Sequence, residues 1–598
     1  MEDKKKGWKG IRKIKLDHKR IAKRIRKAEV TTTRHAHKFV FGRINNIRAA
    51  SREITLWLAF VGLLVCALGV QILWNQGGYM VMAPRSGGVY VEGVLGKVNT
   101  VNPLFYMTDA EASVSRLVFS SLYNYDKTGV LQQDIATNME VDKTQKIYTI
   151  TLRDDVVWHD GEKMTADDIV YTINLIKNPS TRSVFYSNWL DIAVSAPNPT
   201  TVVFTLPAVY AAFPQALTFP IVPQHILKDV APAAVRESAF SNHPVGSGPF
   251  KFSRLQQTDA TGDYNVVHLV SNRTYYKGTP KLSRFELRAY PDEMSLVKAV
   301  NVGEVSGAAD VSVTEAKNIT VPVSRVPERI NSGVYLILNM QSDTLKDKAL
   351  RQALHLGTDM DAIIKSLGGG VRGLNGPLLK EQAVAARAAA PAAFDSAQAE
   401  KKLQDAGWVK QKDGFRQKGK TPLVITITTT KNSEYETVLR FIKSQWEKIG
   451  IKVVENVIDT SSATSTFIQD TLQGRNYDVL LYELAIGADP DVYAYWHSSQ
   501  IGSSGYNFSN YSNKIVDASL AGARSSIDAR LRNVKYELFV QQWLQDIPAI
   551  GLYQAANEYV TVKGAHAVDP DSTLITESDR YANILYWSVA SKDVRKTP

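Results

Sequence analysis

The chain has 598 residues, with 71 Lys+Arg against 59 Asp+Glu and one Cys. That length exceeds what a single hydrophobic core usually covers, so several domains or lobes are expected. An apolar fraction of 44% excludes a disordered chain, and a single Cys excludes a disulfide-stapled scaffold. The net charge of +12 suggests a polyanion binder until the charge is located. Residues 1–53 hold 18 basic and 5 acidic residues, so 54–598 hold 53 basic and 54 acidic. The bulk of the protein is neutral and carries no nucleic-acid footprint.

The basic tail, 1–53, leads into an uncharged run of 21 residues, Ile54–Trp74, with a Trp near each end. As a helix it rises about 31 Å, enough for a hydrocarbon core of roughly 30 Å. A cleaved signal peptide would have a shorter apolar run and a shorter basic leader. The pattern predicts an uncleaved single-pass transmembrane anchor. Positive-inside bias places the N-terminus in the cytoplasm and the remainder outside the cell or in the periplasm. The tail is either a solvated topology signal or a segment lying on anionic lipid.

Residues 75–86, with Gly77, Gly78 and Pro84, read as a tether, and 87–598 as globular. Strand-like segments recur at Lys146–Leu152, Thr201–Leu206, Val334–Leu338, Leu423–Thr428 and Val479–Tyr482. Helical patterns at Ser396–Ala406, Glu434–Ile449 and Ala529–Leu544 alternate with them, which implies α/β lobes. Ala383–Ala393 is Ala-rich, and Pro391 makes it a loop or a broken helix.

Gly414 through Thr421 matches the phosphate-loop pattern GxxxxGK[ST] literally. That loop needs a buried strand before it and a helix after it. Here Pro422 opens a strand instead, so a lysine-rich hairpin between strands is expected. Trp158-His-Asp-Gly161 reads as a turn, followed by a helix cap at Thr165-Ala-Asp-Asp168. No spacing supports a metal site, a nucleophile elbow or a nucleotide fingerprint, so no catalytic centre and no cofactor are expected.

Taken in order, these segments resemble the family 5 extracellular solute-binding proteins of ABC importers, the oligopeptide- and dipeptide-binding type. The resemblance starts at Gly87-Gly88 and Val101-Asn-Pro-Leu104, then runs through Leu122-Tyr-Asn-Tyr-Asp126 and Tyr148–Arg153. It continues with Val157-Trp-His-Asp-Gly161, Phe219-Pro-Ile-Val-Pro223, Pro244-Val-Gly-Ser-Gly-Pro-Phe250, and Tyr275-Tyr-Lys-Gly278. Further on come Asn339, Leu350-Arg-Gln-Ala353, Ala406-Gly-Trp408, Asp489-Pro-Asp491, and Asp546-Ile-Pro548 with Leu552-Tyr553.

The resemblance implies a two-lobed, periplasmic-binding-protein-like α/β fold (type II, with an extra β-rich domain) behind one transmembrane helix. Lobe 1 is expected at about 87–119, 241–334 and 554–598, the inserted domain at about 120–240, and lobe 2 at about 335–553. It further implies a monomer that binds a peptide or peptide-like solute between closing lobes and delivers it to importer permease subunits. Ligand contacts fall on Met107, Thr108 and Asp109, and on Tyr482, Glu483, Leu484, Ala485 and Ile486, with main-chain edges pairing to the ligand as an added strand. One departure matters. Peptide binders place an Asp where this chain has Ile486, so Glu483 or Asp109 is expected to replace the amine anchor, unless the ligand is a blocked peptide or an oligosaccharide. A membrane-tethered sensor or adhesion module reusing the fold is the competing reading.

Overall fold

The computed structural model describes residues 44–78, 80–257, 265–368, 371–374, 376–380, 382, 392–460, 465–589 and 591–595, with isolated positions 23, 26, 27, 30 and 34 in the tail. Most of the basic tail and most of the Ala-rich segment therefore lie outside the described residues. The chain divides into two compact units, one of Met1–Ala83 with Asp593–Pro598 and one of Pro84–Lys592.

In the first unit, Ile44–Gly78 forms one continuous helix. Its stretch Ser51–Gln71 is long and apolar enough to cross a membrane, and none of it is buried against protein. The helix starts ten residues before the apolar run, because Ala49, Ala50 and Arg52 are themselves good helix formers.

The second unit is built on an 11-stranded mixed sheet. Its centre is a pair of long antiparallel strands, Val323–Leu338 and Ala549–Val562. On one side the sheet continues through Val479–Ala485, Val424–Thr430 and Lys452–Ile458. On the other it continues through Gly307–Ser312, Val89–Leu95, Arg284–Tyr290, Asn265–Ser271 and Phe250–Gln257, and the eleventh strand, Arg372–Gly373, pairs with Ala549–Val562 off this path. The two halves thus share only the long pair. Where the halves meet, the pair loses register between Arg329 and Gly333. There the Gln554 side chain donates to the Ile330 carbonyl, and the Leu574 backbone brackets the same residue.

The half containing Val479–Ala485 is buried on both faces. Val334, Leu336, Leu338, Val479 and Leu481 enter one core, and Tyr335, Ile337, Leu480, Leu484 and Ile486 enter the other. Such strands read as continuous apolar runs, which is why they were visible in the sequence. The expected helices are present as Ser396–Asp405, Ser433–Lys448 and Ala529–Asp546, capped by Asp395, Asn432 and Asp528. A separate four-stranded antiparallel sheet comprises Ala136–Val141, Ile147–Leu152, Thr201–Thr205 and Ala193–Asn198.

The phosphate-loop look-alike sits in a small antiparallel sheet of Val409–Lys410, Arg416–Lys418 and Thr421–Pro422, as a hairpin with Gly419 at φ 63°. The Trp158–Gly161 motif is a turn with Gly161 at φ 98°, and Thr165 and Asp168 form a capping box. His159 is structural: it accepts the Gly246 N–H at Nδ1 and donates to the Gly248 carbonyl. Burial pulls its pKa down to about 4, so the ring is neutral. The glycine loop it holds packs on the C-terminal end of the helix Asp109–Val118, with the Gly248 N–H donating to the Val118 carbonyl. The opposite end of that helix carries the Asp109 carboxylate in its first turn.

Candidate functional site

Six carboxylates, Asp109, Glu293, Asp310, Glu434, Glu483 and Glu577, line one cavity of about 190 Å³ between the two halves of the sheet. Among the described residues, no Lys, Arg or His lines it. Four of the six stand in the first turn of a helix. Asp109 follows the cap Thr108, Glu293 follows Asp292, Glu434 follows the Asn432 cap, and Glu577 follows Thr576. The unsatisfied N–H groups of a helix start favour negative charge, so each position is locally sound. Their convergence is the unusual feature.

Asp310 reaches the cavity differently. It has φ 60°, in the left-handed region, at a bulge between Ala308 and Val311 where pairing with Ala549–Val562 slips. A bulge of this kind re-aims a side chain, and the Asp310 N–H is held by the buried Glu328 carboxylate at 3.2 Å. Glu483 lies near the end of its strand, where it accepts from the Ser332 hydroxyl and from Tyr435 at 3.3 Å.

Crowding these acids has a clear electrostatic consequence. Burial, with the neighbouring charges of Asp310 and Glu483, pushes Asp109 up to about 6. Burial raises Glu434 to about 7, despite a 2.7 Å hydrogen bond from Tyr553, and raises Glu577 to about 8. Glu293 is raised for the same reason. A cation beside these acids is Arg580, fully buried, 3.4 Å from Asp310, 3.6 Å from Glu92 and 4.0 Å from Glu328. Tyr559 and Tyr581 donate to Glu92. One guanidinium therefore answers three carboxylates, and burial holds the Glu328 carboxyl up to about 8. The cavity is short of positive charge and suited to receiving it. Among the described residues no group of three or more His, Cys, Asp or Glu has the geometry to hold a metal ion.

A larger cavity of about 730 Å³ adjoins the acidic one, sharing Asn432, Tyr435, Glu483 and Glu577. It adds an apolar wall of Phe467, Ile468 and Leu472, with Tyr482 and Ala485. Here the strand Val479–Ala485 has an open edge. Its pairing with Val424–Thr430 covers only Val479 and Leu480, whereas Val323–Leu338 covers its other side throughout.

The residues anticipated from sequence divide into two groups. Asp109, Tyr482, Glu483 and Ala485 line these cavities. Met107 is exposed and Thr108 caps a helix; neither lines these two cavities, and both their N–H groups donate to Glu111. The Leu484 and Ile486 side chains are buried in a core. Ile486 is thus a packing residue, and its N–H donates to the Asn331 carbonyl. Glu293, Asp310, Glu434 and Glu577 went unnoticed in the sequence. As first-turn acids, three of them look like ordinary capping chemistry.

Residues 130–505, more than half of the chain, match the family model described as bacterial extracellular solute-binding proteins, family 5 Middle. The chain is 26% identical over 497 residues to the oligopeptide-binding protein AppA of Bacillus subtilis, covering 79% of this chain and 87% of that one. The crystal structure of NikZ from Campylobacter jejuni in complex with Ni(L-His) superposes with a TM-score of 0.71 at 27% identity, over 84% of this chain and 99% of that one. The structure of B. subtilis AppA in complex with a nonapeptide gives 0.70 at 24% identity, over 85% and 100%.

Proposed function

The chain belongs to family 5 of the bacterial extracellular solute-binding proteins, a non-enzymatic family serving ABC importers, and we propose that its solute is a peptide or peptide-like molecule carrying a free amine. The observation that carries this reading is the cavity of six carboxylates with no base among the described lining residues, opening onto the strand segment Tyr482–Ala485 beyond its pairing with Val424–Thr430. A cationic amine enters the acidic cavity, where Glu483 and Asp109 supply the charge that Ile486 does not. The main chain behind it adds to the strand edge, and the 730 Å³ cavity takes side chains. Backbone recognition of this type tolerates varied sequences.

In this reading, residues of about 335–553 form one lobe. Residues of about 87–119, 241–334 and 554–598 form the other, with about 120–240 as an insert. The crossing strands near Arg329–Gly333 act as the hinge. The helix Ile44–Gly78 anchors the receptor to the membrane, with residues 1–53 cytoplasmic, and permease subunits are its partners.

The acidic cavity also favours a second reading, a cationic solute that is not a peptide, since the similar NikZ was solved with Ni(L-His). Mass spectrometry of the small molecule released from the protein purified from its native membrane separates the two. Free-amine peptides support the proposal, whereas a neutral sugar or an anionic solute would overturn both readings.

A further inference from the structure

The loop that follows the strand Thr201–Thr205 leaves the four-stranded sheet and touches a distant helix. It is rooted by Phe213, whose ring packs on Tyr148, Phe204 and Trp189 in the core below. From this base Tyr210 and Ala211 meet the C-terminal end of the helix Lys514–Arg524. The last carbonyls of a helix have no partner within it. Here the Arg524 carbonyl accepts the Ala211 N–H at 2.9 Å.

The Arg524 side chain sits between two aromatic rings. Its guanidinium carbon lies 4.2 Å from the centroid of Tyr493 and 5.3 Å from that of Tyr210, both within cation–π range. Its Nε donates to the Asp491 carboxylate at 2.9 Å, and Asp489 is held by Arg532 at 2.5 Å. These acids belong to the loop after the strand Val479–Ala485, whose Tyr482, Glu483 and Ala485 line the 730 Å³ cavity. Contacts therefore run from the cavity wall through Asp491 and Arg524 to Tyr210. Burial, with the Asp491 carboxylate close by, pushes the Tyr210 hydroxyl up to about 12, so the ring facing Arg524 is neutral.

The Arg524 side chain remains 35% exposed, whereas that of Asp491 is 7% exposed. Parting Tyr210 from Arg524 returns both to water while Asp491 keeps its cation, so the contact can open without stranding a buried charge. The long crossing strands supply their own hydrogen bonds, from Ile486 and Gly487 to Asn331 and from Ser332 to Glu483. The Tyr210 contact is a separate tie. We propose that it is a latch, through which the four-stranded insert holds the two halves closed by seating Tyr210 and Ala211 on Arg524. The latch rests on the reading that those halves close by a hinge at the crossing strands. It gives the insert a part in closure and makes Arg524 a positioning residue for the loop beside the cavity.

Electron-resonance distances between two spin labels test this on the full-length protein in detergent, with no solute added. Lys143→Cys labels the insert, Gln541→Cys labels the helix Ala529–Asp546, and Cys66→Ser removes the native thiol. The parent should show a dominant short distance and a minor longer one. Tyr210→Leu, which keeps bulk and loses the ring, should raise the ratio of long to short by about threefold, in keeping with one cation–π contact. Arg524→Gln should do the same and Arg524→Lys less, and adding Tyr210→Leu to Arg524→Gln should change little further. Arg524→Gln also strands Asp491 and should lower the unfolding midpoint; Tyr210→Leu should not, so it decides the matter. Two distances that no variant shifts, or a parent in which the longer one dominates, would overturn the latch alone. One rigid distance in every variant would overturn the hinge reading with it. A shift in Tyr210→Leu that comes only with a lowered midpoint would give the loop a folding role in place of the latch.

Discussion

Asp109, in the first turn of one helix, and Glu483, near the end of a strand in the other half of the sheet, face the same 190 Å³ cavity, and the charge on Glu483 helps raise the Asp109 pKa. Two like charges brought together from distant parts of the chain are an unfavourable arrangement in the empty protein. A cation placed between them turns the same geometry into a binding site, because it favours the ionised form of both. The expected behaviour of the protein follows from that reversal.

The first expectation is a pH dependence of defined sign. Asp109, Glu434 and Glu577 sit at about 6, 7 and 8, above the values the same groups have in an unfolded chain. Between about pH 4 and 8 the folded protein therefore holds more protons at these sites than the unfolded one, and their contribution to stability falls as pH rises through that window. Binding an ammonium, which faces these three with Glu293, Asp310 and Glu483, favours ionisation. Affinity should thus rise from about pH 5.5 to 7, below the pH of about 8 at which a peptide amine loses its own proton, and binding in that range should release protons. Calorimetry in two buffers of different ionisation enthalpy measures the release, and proton uptake would contradict the assignment.

The second concerns the anchor. Glu483→Gln and Asp109→Asn should each weaken a free-amine peptide, with a loss of about 2–5 kcal/mol for whichever carboxylate pairs directly with the ammonium. The N-acetylated peptide should be much less affected. Both variants should unfold at the same or a higher temperature without ligand, since each removes one member of a repelling set. If both bind the free peptide with unchanged affinity, the amine does not enter the acidic cavity.

How much of this was readable beforehand depends on what each residue does locally. Val479–Leu481 announces itself as a strand because burial on both faces demands apolar residues in succession, and Leu423–Thr428 because Leu423, Ile425 and Ile427 alternate into one core. The first half of Val323–Leu338 was missed, because Arg325, Pro327, Glu328 and Arg329 read as loop until their partners across the sheet are known. Glu328 is buried only because Arg580, far along the chain, lies 4.0 Å away. The site divides in the same way. Asp109 and Glu483 were found through a family pattern, whereas Glu293, Glu434 and Glu577 satisfy local helix-start chemistry so well that nothing marks them. Asp310 depends on a bulge, which is a property of register between strands and not of either strand alone.

The third prediction follows from the support of the Asp109 helix. A Cβ at Gly248 would stand 2.7 Å from the Val118 carbonyl carbon and 2.8 Å from the Leu117 carbonyl oxygen. These are backbone atoms, so the helix end must shift. Gly248→Ala should destabilise the protein by about 1–3 kcal/mol, as overpacking does, and should weaken solute binding by moving Asp109. Chemical denaturation with parallel peptide titration checks both. Unchanged stability would mean that the glycine loop does not brace the helix.

The fourth concerns the motif that imitates a nucleotide site. Lys420 lies in an exposed hairpin with no helix behind it. Lys420→Ala should change stability by no more than about 0.5 kcal/mol and leave peptide binding intact. ATP binding by the wild type that this substitution abolishes would refute the hairpin reading.

The last prediction addresses the floor of the acidic cavity. Arg580 is fully buried, with Glu92, Asp310 and Glu328 within 4.0 Å and the Ser113 hydroxyl at 3.0 Å. Burial raises both Glu92 and Glu328, the latter to about 8, so these carboxyls already resist ionisation with the guanidinium present. In Arg580→Met they lose the one close cation among the described residues, and any that remains ionised is an uncompensated buried charge, a loss of about 3–5 kcal/mol. Because protonation relieves that penalty, the deficit should be smaller at pH 5 than at pH 8. Adding Glu92→Gln should recover part of it, since one fewer acid then needs an answer. Denaturant midpoints of the single and double variants at both pH values measure this. A deficit that is the same at both pH values, with no recovery in the double variant, would assign Arg580 a packing role and leave the acidic cavity without its counter-charge.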